Sequence, residues 1–156
     1  TTDNVFFEHD APRGPGTANA YLMLEQGNPS APFIAEIQAE ISENGNHGHG
    51  DELVVYAMPE SSHDVIATLW FNAGTDGAIK AAAITTVEQA IRCAFRQNTS
   101  YAITRVRPWD VFSCSNLGNE LHELVPSLKN VAFNIGFIDS GMDIPRLGSL
   151  EVAEHD

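Results

Sequence analysis

The sequence predicts one α+β domain over residues 1–156, in which two amphipathic helices pack on one face of an antiparallel sheet of about five to six strands. Two observations favour this two-layer sandwich. The first half of the chain resembles short strands joined by turns, and the second half alternates helix, strand, helix and strand. The hydrophobic fraction of 43% is ordinary for a globular protein. The same order of elements also permits a split βαβ core, and no internal repeat or domain boundary is visible.

The first half begins with residues 1–16, which we expect to form an irregular arm because they include Ala-Pro-Arg-Gly-Pro-Gly. A short strand is expected at 21–26, before Gly-Asn-Pro. Residues 33–42 alternate apolar with polar side chains, and this period of two predicts a half-buried strand. Two apolar runs, at 53–58 and 65–71, predict two further strands.

The second half opens with Thr-Thr-Val-Glu at 85–88, a capping-box pattern that predicts the start of a helix reaching about residue 97. The elements expected after it are a strand over 101–107, a helix between Asn116 and Pro126, and a strand over 131–138. Residues 140–156 form a weakly patterned tail, in which 147–152 could make a short edge strand.

The charge of the chain limits its partners. The formal net charge is -13, from 21 acidic against 8 basic residues. Such a field repels phosphate backbones and anionic lipid surfaces, so we expect neither nucleic acid binding nor membrane insertion. No apolar run approaches the roughly 20 residues that a membrane-spanning helix needs. The expected partner is therefore a protein or an acidic ligand.

Basic residues concentrate in one segment of this acidic chain. Residues 80–107 contain five of the eight Lys and Arg residues and a single acid. Arginines beside an exposed aromatic residue are typical of ligand-anchoring surfaces. The candidate binding residues are Arg92, Arg96, Arg105, Arg107 and Trp109. The alternative interpretation is that these arginines pair with neighbouring carboxylates and that Trp109 belongs to the core.

Two cysteines and one sequon indicate the compartment. Cys93 lies off the apolar stripe of its predicted helix, where a buried free thiol would be unusual, so we expect a disulfide with Cys114. Disulfides persist in oxidising compartments. Asn98 begins an Asn-Thr-Ser glycosylation sequon, and the chain starts with Thr1, as a protein would after removal of a signal peptide. Together these features predict a secreted, extracellular protein.

One loop has the residue types of a metal site. His47 and His49 are separated by a single glycine, and Asp51 follows closely. Two imidazoles and a carboxylate could bind a divalent metal, although a Gly-rich loop is poorly preorganised and is also typical of a solvated hairpin. The sequence contains no P-loop and no Gly-x-Gly-x-x-Gly pattern. We therefore expect no organic cofactor.

Two functional hypotheses follow. The first is a small secreted, non-enzymatic interaction protein of the effector, toxin-like or inhibitor type, which docks through its basic and aromatic surface. It agrees with the expected disulfide and with the absence of a catalytic motif. The alternative is a small metal-assisted or acid–base hydrolase that uses the loop containing His47 and His49. The sequence leaves the partner's identity and the oligomeric state open.

Overall fold

A computed structural model of the chain describes residues 5–43 and 52–156. In chain order, the helices and strands of these residues are β1 (Val5–Glu8), β2 (Thr17–Leu22), α1 (Ala31–Glu43), β3 (Glu52–Ala57), β4 (Glu60–Phe71), α2 (Gly77–Ala94), β5 (Val111–Ser113), α3 (Cys114–Leu124), β6 (Leu128–Phe133), β7 (Phe137–Asp139) and β8 (Ile144–Glu154). This content confirms the α+β class. The chain divides into two compact units, Thr1–Met58 and Pro59–Asp156. A single domain over residues 1–156 stays a prediction.

The finer prediction of a two-layer antiparallel sandwich is wrong. The described strands form three small sheets, with strand orders β1-β2-β3, β6-β4-β8 and β5-β7. Two of these sheets contain a parallel pair, β2 with β3 and β4 with β8. Parallel neighbours cannot be joined by a hairpin and need a longer crossover, which is why helices intervene between them.

Helix α1 occupies the segment for which the alternation predicted a strand. The Ala, Glu and Gln residues that fill much of this segment favour a helix over a strand. The helix starts after Ser30, whose Oγ accepts a hydrogen bond from the Phe33 N–H at 3.3 Å. Pro32 lies in the first turn, where its missing N–H costs no hydrogen bond. The three isoleucines of α1 also recur at helical spacing, so the apolar pattern is compatible with both structures.

In the first unit, α1 is the crossover between two parallel strands. Thr17 pairs with Glu52 at one end of β2 and β3, and Leu22 pairs with Ala57 at the other. Strand β1 adds antiparallel to the other edge of β2, so residues 5–8 of the predicted irregular arm are a strand. The result is a three-stranded sheet in which β3 is an edge strand.

In the second unit, β4 is the central strand of β6-β4-β8. Alternate residues Val65, Ala67 and Leu69 are buried, as expected for a strand with one covered face. Helix α2 buries an apolar stripe at helical spacing, which comprises Ala83, Val87, Ala90, Ile91 and Ala94. The predicted weakly patterned tail contains β8, an 11-residue strand at the edge of this sheet.

The predicted capping box at 85–88 lies inside α2, which begins eight residues earlier at Gly77. The hydroxyls of Thr85 and Thr86 donate to the carbonyls of Ala81 and Ala82 one turn back, at 3.3 and 3.1 Å. Threonines in a helix interior commonly make this bond. The capping prediction is therefore wrong, although the helix ends at Ala94, close to the predicted end.

The segment after α2 contains no strand between residues 95 and 108, in contrast to the strand predicted at 101–107. Arg96 adopts a left-handed conformation (φ 64°), which turns the chain directly after the helix. The segment then folds back along α2, and the Val106 N–H donates to the Ala94 carbonyl at 2.9 Å. The single strand predicted at 131–138 is instead two strands, β6 and β7, which residues 134–136 separate.

The predicted disulfide is also wrong, because Cys93 and Cys114 are both free and buried. The Cys93 thiol donates to the Tyr101 carbonyl at 3.4 Å. The returning segment at 95–108 covers the side of α2 that the helical stripe alone would leave exposed, so a thiol off the stripe is buried here without a bridge. Cys114 is the first residue of α3, whose N-cap is Ser113 and not the predicted Asn116.

Candidate interaction surface

The short ribbon of β5 and β7 has one buried and one exposed face. Phe112 and Ile138 face each other in register and are buried. The Phe112 ring packs edge-on against Phe95 just after α2, with ring centroids 5.5 Å apart, and this anchors the ribbon to the core of the second unit. Val111 and Phe137 lie on the opposite face of the ribbon and are 55% and 64% exposed.

Trp109 precedes this ribbon and is 53% exposed. Its backbone is in the left-handed region, with φ 51°. For a bulky residue this conformation costs about 1–3 kcal/mol and is uncommon outside functional sites. The Trp109 N–H donates to the Gly141 carbonyl, and the Ser140 N–H donates to the Asp110 carbonyl, both at 2.9 Å, so the ends of the ribbon hold the strained residue in place.

We call Trp109, Val111 and Phe137, together with the exposed Asp110 and Asp139, the ribbon patch. Asp139 lies directly opposite Val111 in the β5–β7 register, so a carboxylate borders the apolar side chains. Acidic residues predominate in the two sequence segments that contain the patch, although the exposed Arg107 lies two residues before Trp109. Residues 108–128 and 130–145 contain five Asp and Glu residues and no Lys or Arg.

The arginines that were predicted to bind a partner lie in different settings. Arg92 bonds Glu88 and Gln97 at the end of α2. Arg96 is only 8% exposed, and its Nε donates to the Val106 carbonyl at 2.8 Å. Arg105 is half-buried and donates to the Asn98 carbonyl at 3.4 Å. These contacts tie the returning segment to α2.

Two of the predicted binding residues, Arg107 and Trp109, are exposed, whereas Arg96 is buried and is not part of the surface. Asn98, the predicted glycosylation site, is half-buried, and its side-chain amide donates to the Gln89 carbonyl at 3.0 Å. Sequence reasoning missed Val111 and Phe137. The sequence did contain a signal for them, because Val111 adjoins Phe112 and Phe137 adjoins Ile138. In a strand with one buried face, adjacent residues point to opposite faces, so one residue of each pair must be exposed.

A polar cleft of about 320 Å³ lies between α3 and the β6–β7 segment. Cys114, Asn119, His122 and Asn130 are among the residues that line it. Burial raises the pKa of the Cys114 thiol, which makes it a poorer nucleophile at neutral pH. Within residues 5–43 and 52–156, no group of three or more His, Cys, Asp or Glu side chains could hold a metal ion.

The predicted metal ligands His47, His49 and Asp51 lie outside the described residues. Binding of a divalent metal by that loop stays a prediction. In the described ranges, no helix combines the length and the apolar character that crossing a membrane requires.

The first unit has a more apolar groove of about 530 Å³ between α1 and β3. Gln38 crosses from the helix to the free edge of the strand. Its Nε2 donates to the Leu53 carbonyl at 2.9 Å and its Oε1 accepts from the Val55 N–H at 2.8 Å. The side-chain amide therefore occupies the position that a neighbouring strand would take, and it blocks part of this edge.

A comparison with protein-family models found no match. The chain is 45% identical, over 113 residues, to a protein of Haemophilus phage HP1 (strain HP1c1) described as "Putative baseplate protein gp29". The matched region covers 71% of this chain and 29% of the phage protein, so the chain corresponds to less than a third of that relative's length.

This similarity overturns the functional prediction made from the sequence. A relative described as a baseplate protein contradicts a secreted effector, toxin-like protein or inhibitor, and it contradicts the extracellular localisation as well. The two buried free cysteines remove the disulfide on which the secretion argument depended. The similarity also gives no support to the hydrolase alternative.

Proposed function

We propose that this chain is part of a structural protein of a phage baseplate and that it acts through contacts with other proteins of the particle. The observation that carries the proposal is the 45% identity to the phage HP1 protein over most of this chain. Identity at this level over 113 residues is consistent with a shared role as well as a shared fold.

The ribbon patch supports the same proposal. A subunit of an assembly needs surfaces that remain apolar until a partner covers them. Phe137 is 64% exposed on a ribbon whose other face is fixed in the core by Phe112. A rigid, exposed aromatic group loses little conformational entropy when it binds, which favours stable protein–protein contacts.

The test is whether the chain is present in particles. Particles of the phage whose genome encodes the chain would be purified on a density gradient, and peptides from residues 1–156 would be quantified by mass spectrometry. We expect these peptides in the particle fraction, at a constant ratio to the other tail proteins. Antibodies against the chain should label the tail tip in electron micrographs.

A cytosolic host protein measured in the same gradient serves as the contamination control. The proposal fails if peptides of the chain remain with that host protein while the tail proteins sediment with the particles. Labelling of the head or along the tail tube would exclude a baseplate position in particular.

A further inference from the structure

We infer that the ribbon patch docks a different protein of the particle, whose contact surface is apolar at its centre and carries Lys or Arg at its rim. This inference rests on the proposed function and specifies the chemistry of the partner. It replaces the basic docking surface that the sequence suggested with an apolar and acidic one.

The centre of the contact is apolar because Val111 and Phe137 lie on one face of the ribbon and Trp109 lies two residues before Val111 in the chain. Val111, Trp109 and Phe137 are each more than half exposed. Val111 and Phe137 are diagonal neighbours on the same face, since Val111 pairs with Asp139 and Phe137 pairs with Ser113. Removing these side chains from water is favourable, and a buried aromatic anchor of this kind commonly dominates the binding free energy.

The rim of the contact requires positive charge. Asp110 and Asp139 are exposed within the ribbon patch, and residues 108–128 and 130–145 carry no Lys or Arg. The exposed base nearest in sequence is Arg107, two residues before Trp109, so two carboxylates of the patch stand against one guanidinium at its end. Covering these carboxylates without compensation would be costly, whereas facing Lys or Arg would guide association and offset the loss of water.

The same charges argue against other occupants. In a symmetric contact between two copies of this chain, each ribbon patch would face its own equivalent, and like carboxylates would approach one another. The net charge of -13 adds to this repulsion and also disfavours an acidic ligand. A basic partner is the occupant that the charge distribution favours.

The first experiment places a photo-crosslinking residue, benzoylphenylalanine, at Phe137 in particles assembled with the variant chain. Ile79 on α2, which is 54% exposed, is the matched control position. We expect Phe137 to crosslink to a different particle protein, at a peptide with Lys or Arg within a few residues of the crosslinked site. Ile79 should give little or none of that product.

The second experiment tests the charge through complementation of a phage that lacks the gene. Asp139→Lys should lower the yield of complete particles by roughly tenfold or more, and Asp139→Asn should lower it less, because reversal repels a basic partner while neutralisation only weakens the attraction. Glu151→Lys on β8, also at an exposed site, should leave the yield unchanged. Equal folding of the three variants would be checked by circular dichroism and thermal melting.

The outcomes separate this inference from the proposed function. If the chain is absent from particles, the proposed function fails and the inference fails with it. If the chain is present but Phe137 crosslinks to another copy of the chain, to an acidic peptide or to nothing, only the inference fails. A particle yield that rises or stays unchanged with Asp139→Lys would overturn it as well.

Discussion

The left-handed backbone at Trp109 leads to an unusual expectation for stability. Almost everywhere in a protein, replacing a residue by Gly is more destabilising than replacing it by Ala, because Gly loses more backbone entropy on folding. At Trp109, where φ is 51°, we expect the opposite order: Trp109→Gly should be more stable than Trp109→Ala. Both variants lose the same indole ring, so the lost side-chain contacts cancel in the comparison.

The magnitude follows from two opposing effects. A left-handed conformation costs a residue with a Cβ about 1–2 kcal/mol, and Gly avoids this cost. The greater conformational freedom of Gly in the unfolded chain destabilises the Gly variant by about 0.4–1 kcal/mol relative to the Ala variant. The net difference in the free energy of unfolding therefore lies between about 0 and 1.6 kcal/mol in favour of Trp109→Gly, with a central value of about 0.8 kcal/mol.

The assay is urea unfolding followed by tryptophan fluorescence. The chain has two tryptophans, so Trp70 is the reporter that remains after replacement of Trp109. Trp70 lies on β4 in the same unit and stacks on His155 with ring centroids 4.7 Å apart, so its emission should report the unfolding of that unit. Equal slopes of free energy against urea in the two variants would justify comparing the midpoints directly.

Val111 provides the matched control, since it is 55% exposed and belongs to the extended strand β5. There we expect the ordinary order, with Val111→Ala more stable than Val111→Gly by about 0.5–1 kcal/mol. If Trp109→Ala were more stable than Trp109→Gly by the same margin as at Val111, the left-handed conformation of Trp109 would be refuted. The strain argument for the ribbon patch would then have to be withdrawn.

Three further expectations concern stability elsewhere in the chain. Gly148→Ala should lower the free energy of unfolding by about 0.5–1.5 kcal/mol, because its Cβ would lie 2.5 Å from the Ser62 Oγ and 2.6 Å from the Asp64 Oδ1 and both exposed side chains would have to turn. Ser62→Ala should restore part of this loss in urea titrations. Gln38→Leu should lower the local stability by about 1–3 kcal/mol and speed hydrogen exchange at the Val55 amide, because two backbone groups of β3 lose their partners. Gln38→Glu should retain the hydrogen bond to the Val55 amide. Burial raises the pKa of the Cys114 thiol, so the folded chain keeps the thiol proton at a pH at which the unfolded chain has released it. The free energy of unfolding should therefore fall as the pH rises above about 8.5, and Cys114→Ala should make this fall less steep.

The strand predicted at 33–42, which is part of helix α1, shows that hydrophobic periodicity alone does not always distinguish a strand from a helix. Apolar residues at every second position, with isoleucines three and four apart, satisfy both the strand and the helix period over ten residues. The decisive information was local and available: a capping serine at Ser30, Pro32 in the first turn, and a segment rich in helix-forming residues. Capping and propensity should have outweighed periodicity here.

The candidate site could not be found in the same way, because its parts are distant in sequence. Val111 and Phe137 become neighbours only through the pairing of β5 with β7. Each of these strands has three residues, which is too short for a periodic sequence pattern to predict it. Trp109 was identified as a candidate because it is a large aromatic residue in a break between elements. Its left-handed backbone depends on the ribbon contacts at Ser140 and Gly141, which the local sequence does not reveal.

Most bases of the basic segment make contacts within the fold, and this bears on the charge of the surface. A cluster of arginines in the sequence suggests a positive surface only if their charges reach solvent. Here Arg96 and Arg105 donate to backbone carbonyls, and Arg92 is paired with Glu88. Lys80 is likewise paired, with Glu154 on β8.

These four bases support the fold of the second unit, and of the five bases in residues 80–107 only Arg107 is exposed close in sequence to the ribbon patch. Fewer of the positive charges of residues 80–107 are therefore available to a partner than the sequence alone suggests. Association with a basic partner should then be accelerated by long-range attraction and should slow as salt is added. At 0.1 M salt, the added ions screen the attraction between exposed charges that are more than about 10 Å apart. An apolar contact without charged rims would respond to salt weakly or in the opposite sense. The salt dependence of the association rate therefore distinguishes the electrostatic part of the docking from the apolar part.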